Sequence, residues 1–224
     1  PNSKEYIQRK EQIENSELRI FDESGNMDDE FKTYVDATRK QGDTLGGLIE
    51  VFALGVPVGL GSHVQWDRRL DGIIAQAMMS THTVKSVEIG AGVDSYTLPG
   101  SQVHDQIYVN KAASADELQY KRNTNLLGGT EGGMSNGMPI TCRVGVKPIP
   151  TLISKLDSVD LDTKEAAKSH FERSDICVVP AAGVVLEAMM AIALTGVFLE
   201  KFGGDSIEET KRNFKAYQEY IATR

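Results

Sequence analysis

The sequence predicts a layered α+β fold, and three observations carry that prediction. Stretches with strand character and stretches with helix character mix without the strict strand–helix–strand rhythm of a doubly wound sheet. One long segment, Val178 to Leu199, keeps a single charge, Glu187, and reads as one apolar helix. Gly90-Ala91-Gly92 opens a Gly-x-Gly whose third glycine is replaced by Ser95, so a dinucleotide site is excluded, and no Gly-Lys-Ser/Thr phosphate loop occurs. With 224 residues and a 40% hydrophobic fraction, the chain can bury one sizeable core and reads as one domain or a large part of one.

The elements follow in order. Residues 1 to 41 are highly charged, and Met27 to Lys40 has the spacing of an amphipathic surface helix, with Phe31, Tyr34, Val35 and Thr38 on one face. Gly42-Asp43 ends it. Leu48 to Leu54 is rich enough in β-branched and aromatic residues to form a strand, and Val56-Pro57-Val58 suggests a bend into a hairpin partner. Trp66 to Thr81 recovers helical spacing through Leu70, Ile73, Ile74, Ala77 and Met78. Val84 to Ile89 is a predicted strand, and Gln106 to Val109 a short one. Gly128 to Gly137 holds five glycines in ten residues, a composition that makes flexible turns or turns backbone N–H groups toward an anion. Ile140 to Ile149 reads as a strand with Arg143 and Lys147 on one face. A polar connector, a short helix near Lys164 to Phe171, the apolar helix, and a charged helix from Ser206 to Tyr220 complete the chain.

Composition narrows the function classes. Twenty-four basic against 32 acidic residues give a net charge of −8, which disfavours nucleic acid, whose binding needs a positive face. An anionic substrate would need a local basic pocket. Cys142 and Cys177 form no Cys-x-x-Cys pair and no signal-like start is present, so a reducing cytoplasm is the expected compartment. His63, His82, His104 and His170 lack metal-ligand spacing, so no metal is expected.

The chain is organised around Arg173 to Glu187. A fixed cation and a carboxylate, Arg173 and Asp175, stand two residues apart just before a helix that opens at Pro180, where a missing N–H costs nothing, and stops at Gly203-Gly204. So apolar a helix is either a core element or a membrane span; the core is favoured, because Glu187 near the middle of a lone span would be costly and small residues such as Ala182, Gly183 and Ala193 invite close packing. The pair itself reads as an ordinary salt bridge at a helix start or as the rim of an active site.

Arg173-Ser174-Asp175-x-Cys177-x-Val179-Pro180-Ala181-Ala182-Gly183 resembles the C-terminal signature of chorismate synthases. Matches in the family's order follow: Gly42-Asp43-Thr44-Leu45-Gly46-Gly47, Gly55 to Gly61, Val87 to Gly90, Gly132 to Gly137, and Lys147-Pro148-Ile149-Pro150-Thr151. The resemblance covers about Gly42 to Gly204. The family's N-terminal Gly-Glu-Ser-His-Gly motif has no counterpart here, so residues 1–224 are expected to be one C-terminal portion of a single catalytic domain. The implied fold is layered antiparallel sheets with helices packed between or against them, a β-α-β sandwich truncated at its N-terminus.

The resemblance implies a carbon–oxygen lyase that uses reduced FMN to convert 5-enolpyruvylshikimate 3-phosphate into chorismate, without net redox change. Matched residue by residue, Asp175 is the catalytic carboxylate beside the flavin and Arg173 contacts flavin and substrate, a planar donor suited to phosphate and carboxylate. Lys147, Pro148, Ile149, Pro150 and Thr151 form a flavin-binding strand and turn, and Gly132 is a flavin contact. His82 and Thr83 match another, where the family more often has Asn or Gln followed by Ala. The resemblance further implies a homotetramer and flavin reduced with NADP by the enzyme itself or by an external flavin reductase; from the charge and the apolar helix, neither nucleic acid nor membrane is expected as a partner. The portion alone is expected to be inactive. The other reading is a non-catalytic FMN-binding or oligomerising module with the same fold.

Overall fold

A computed structural model describes residues 3–21, 27–113, 118–172 and 174–224. Alternation decides its central strand, β7 (Ile140–Val146): Ile140, Cys142, Val144 and Val146 are buried on one face, while Arg143 and Gly145 turn to the other. Both of its partners precede it in sequence. β1 (Gly47–Ala53) and β2 (Val84–Ile89) flank β7, each antiparallel, in the order β1-β7-β2. An antiparallel sheet of this kind buries one face and leaves the other to be covered separately.

The buried face receives two helices. α3 (Leu70–Met79) inserts Leu70, Ile74 and Met78, one residue per turn, and a short 3₁₀ turn, Trp66–Arg68, leads into it. α5 (Val179–Phe202) inserts Ala182, Leu186, Met190, Ala193 and Val197. Its approach to β1 is close: a Cβ on Gly47 would meet Val179 at 2.8 Å. After Gly203, Ser206 caps α6 (Ile207–Ala222) by accepting from the Glu209 N–H, and Phe214 and Tyr217 pack on Phe202 with ring centroids 5.2 and 5.3 Å apart.

The opposite face of β1 meets α1 (Ser3–Asn15). Tyr6 lies 5.2 Å from the Phe52 ring, and Arg9 pairs with Glu50 at 2.7 Å. α2 (Met27–Gln41) follows as predicted and ends at Gly42, whose φ of 75° only glycine adopts without strain. The remaining elements are small: α4 (Gly100–Val103) and the hairpins β3/β4 (Ile107–Val109, Tyr120–Arg122), β5/β6 (Thr130–Glu131, Met134–Ser135) and β8/β9 (Asp157–Val159, Ala166–Lys168).

Four expectations are corrected. α5 is not surrounded: Val184, Val185, Ile192 and Leu199 form an exposed stripe, with Ile192 65% exposed, because the sheet and α3 cover only one side of the helix. It remains the one described helix long and apolar enough to cross a membrane. The bend at Val56-Pro57-Val58 leads to no hairpin partner, since β1 pairs with β7 instead. The strand expected through Ile149 ends at Val146; Lys147 therefore sits beyond the sheet, and Arg143 is engaged elsewhere, with Glu88 at 2.8 Å and Asp94 at 3.1 Å. The helix expected near Lys164 to Phe171 is the β8/β9 hairpin. Asp160 accepts from the Asp162 and Thr163 N–H groups, which closes a turn, and Lys164 takes a φ of 64° that a helix excludes.

Candidate functional site

The expected site residues fall into two groups, one at each end of β7. At its C-terminal end, α3 stops at Met79 and the chain turns through His82, which is exposed, and Thr83. Thr83 has a φ of 76°, a left-handed conformation that is strained for a β-branched residue. Its carbonyl accepts from the Lys147 N–H at 2.9 Å, which fastens the His82-Thr83 turn to the start of the Lys147–Thr151 turn.

Pro148 and Pro150 stiffen that turn and remove two of its donors. Lys147 extends its ammonium to the Pro148 carbonyl at 3.4 Å and forms no ion pair among the described residues. At the far side, the Thr151 and Ser174 hydroxyls are 2.8 Å apart. Ser174 thereby brings the Asp175 segment against the lysine-proline turn. Asp175 itself is exposed, and Arg173 lies outside the described residues.

The Gly42–Gly47 segment supplies the backing. The Thr44 hydroxyl donates to the Ile149 carbonyl at 2.7 Å, and the Leu45 N–H donates to the Ile176 carbonyl at 2.7 Å. Leu45 also forms a parallel bridge with Cys177, whose thiol is pushed up by burial. The sequence flagged this segment as part of a resemblance without assigning it work. A glycine-flanked threonine beside a turn with two prolines was the available signal.

Gly132 belongs to the second group. Gly132 and Gly133 form the two-residue turn of the β5/β6 hairpin with φ of 60° and 87°, both positive as a type I′ turn requires. The Gly133 carbonyl accepts from Leu70 N–H at the start of α3, and the Thr141 N–H donates to the Gly128 carbonyl at the start of β7. Thr83 and Lys147 stand at the other end of both elements, about 20 Å away along a seven-residue strand. Gly132 is exposed, with nothing near the position of a Cβ, and it borders a recess of about 510 Å³ lined by Arg69, Asp71, His104 and Glu131. One chain therefore unites His82, Thr83, the Lys147–Thr151 turn and the Asp175 segment, but not Gly132.

The donors at the C-terminal end, the Lys147 ammonium and the paired Thr151 and Ser174 hydroxyls, suit an anionic, hydrogen-bonding ligand. Among the described residues nothing roofs Asp175 against water.

A family model described as chorismate synthase matches residues 3–199. The chorismate synthase of Aquifex aeolicus is 53% identical over 221 residues, which are 98% of this chain and 54% of that protein. The chorismate synthase of Geobacter sulfurreducens is 50% identical over 208 residues, 92% of this chain and 52% of that protein. A crystal structure of chorismate synthase superposes with a TM-score of 0.82 at 47% identity, covering 100% of this chain and 57% of the other. The chain spans about half the length of the curated relatives it matches. With the family model matching most of its residues and its whole length sharing the fold, the chain belongs to the chorismate synthase family.

Proposed function

We propose that this chain is the C-terminal portion of an enzyme that eliminates phosphate, by a 1,4-anti route, from 5-enolpyruvylshikimate 3-phosphate to give chorismate. The reaction breaks a C–O bond to phosphate and a C–H bond at the far end of the same ring system, and neither bond is activated in the usual way. Reduced FMN, when bound, supplies electron density to the substrate and recovers it, so the balance is redox-neutral. The residues here hold and orient. Lys147 and Thr151 offer donors to the cofactor from a turn that cannot flex at its prolines, and Arg173 offers a bidentate donor to cofactor and substrate anions. Asp175 holds or moves a proton at the flavin's ring nitrogen.

The observation that carries this reading is the locking of the Asp175 segment against the Lys147–Thr151 turn through Ser174, Thr44 and Leu45. The exposure of Asp175 and the separation of Gly132 are consistent with a pocket completed by the rest of the protein and by other subunits of a homotetramer. A cytoplasmic location and reduction of the flavin by the enzyme with NADP or by an external reductase belong to the same proposal.

Asp175→Asn in the full-length protein tests it. Turnover is expected to fall by a factor on the order of 10²–10⁴ with the melting temperature little changed, as loss of a proton-handling group predicts. A variant that keeps full turnover would remove Asp175 from the reaction. A wild-type full-length protein that binds FMN without turning over substrate would favour a non-catalytic module.

A further inference from the structure

We infer that Thr44 is a positioning residue: its hydroxyl sets the middle of the Lys147–Thr151 turn and couples that turn to the segment carrying Asp175. The inference rests on the reading above only for what those two segments serve. The coupling itself is visible in the bonding.

A turn normally holds its shape through its own N–H groups, but this one has given up two of them at Pro148 and Pro150. Its first N–H, that of Lys147, is spent on the Thr83 carbonyl. Its last residue, Thr151, reaches Ser174 through its side chain. The middle is held from outside, by Thr44 Oγ1 donating to the Ile149 carbonyl at 2.7 Å. Thr44 is 7% exposed, so water does not readily replace that donor.

The backbone of the same segment reaches the other partner. The Leu45 N–H donates to the Ile176 carbonyl, one residue from Asp175, and the Thr44 N–H is taken by the Asp43 carboxylate at 2.8 Å, which fixes the segment's own bend. A Cβ on Gly46 would run into the Val146 carbonyl and stand 2.9 Å from the Pro148 nitrogen, so the segment lies as close to the turn as a glycine allows. Beyond the turn, the Ser154 N–H returns to the Gly42 carbonyl at 3.0 Å. A shift of Ile149 is therefore passed through Thr44 and Leu45 to Ile176, and this buried hydroxyl, with the Thr151–Ser174 contact beside it, sets the spacing between the turn and the segment that carries the carboxylate.

The test uses the full-length protein carrying Thr44→Val, which keeps the shape and removes the donor, and Thr44→Ser, which keeps the donor. Thr44→Val is expected to melt close to wild type, to speed amide exchange in both 147–151 and 174–177 of the flavin-free protein, and to weaken FMN affinity and kcat about tenfold, with substrate KM changed less. Thr44→Ser is expected to restore all of these. Unchanged exchange and FMN affinity in Thr44→Val, or failure of Thr44→Ser to restore them, would overturn the assignment. If Thr44→Val does not fold, Thr44→Ala is read by the same criteria. Should the wild-type protein fail to bind FMN, the flavin reading falls, and the exchange comparison still decides the role of Thr44.

Discussion

Cys142 shows what burial does to a single side chain. It sits wholly enclosed in the middle of β7, and burial first, then the Glu88 carboxylate, pushes its thiol from 9.0 up to about 12. The folded state therefore binds the thiol proton more tightly than the unfolded state does. That contribution is complete below pH 9 and is lost as the pH rises toward 12. Stability measured by urea unfolding is expected to decline across this alkaline window, and Cys142→Ala, though less stable at neutral pH, should decline less steeply. The flattening is partial, because Tyr6, by burial and then by Glu50, and Cys177, by burial, are shifted in the same direction. A residue such as Asp175 differs in kind. Its neighbour Ser174 joins two of the stretches that carried the family resemblance, but the exposure of Asp175 was not legible, since a sequence names a side chain and not what covers it.

At the scale of elements, periodicity was a good guide wherever one face of an element is buried. α2 and α3 lie close to where spacing put them, β1, β2, α5 and α6 close to where composition and end signals did, and Ser206 caps α6 where a helix start was expected. Two kinds of information were missing. Strand pairing depends on distant residues, so Val56-Pro57-Val58 looked like a hairpin bend when the true partner of β1 lay in β7. Local turn chemistry at Asp160 overrode a weak helical pattern in 164–171. The two faces of α5 make a quantitative contrast. Leu186→Ala, at a fully buried position, is expected to cost about 2–5 kcal/mol in a denaturation experiment. Ile192→Ala on the exposed stripe should stay within about 0.5 kcal/mol in the 224-residue chain, and a larger loss in the full-length protein would measure what covers that stripe.

For the whole molecule, the decisive facts are the distance between Gly132 and the Lys147–Thr151 turn and the open side of Asp175. On the proposed assignment, a chain whose flavin-contacting residues stand at opposite ends of one strand is expected to bind FMN weakly and to show no lyase turnover by itself. A flavin titration of the isolated 224 residues checks this, and tight one-to-one binding would contradict it. This division was only partly visible beforehand: the family motifs placed each residue in the sequence, while the length of β7 separates them in space.

The position of β7 also governs how the protein comes into being. Both edge strands are synthesised before the strand they need, and β1 must wait while everything from Leu54 to Pro139 leaves the ribosome. Until then their amide and carbonyl groups are open templates, and closing such large loops carries an entropic penalty that slows assembly. A nascent chain stalled before Ile140 is consequently the species most exposed to mispairing with its neighbours, and holdase chaperones would have most to offer in that interval.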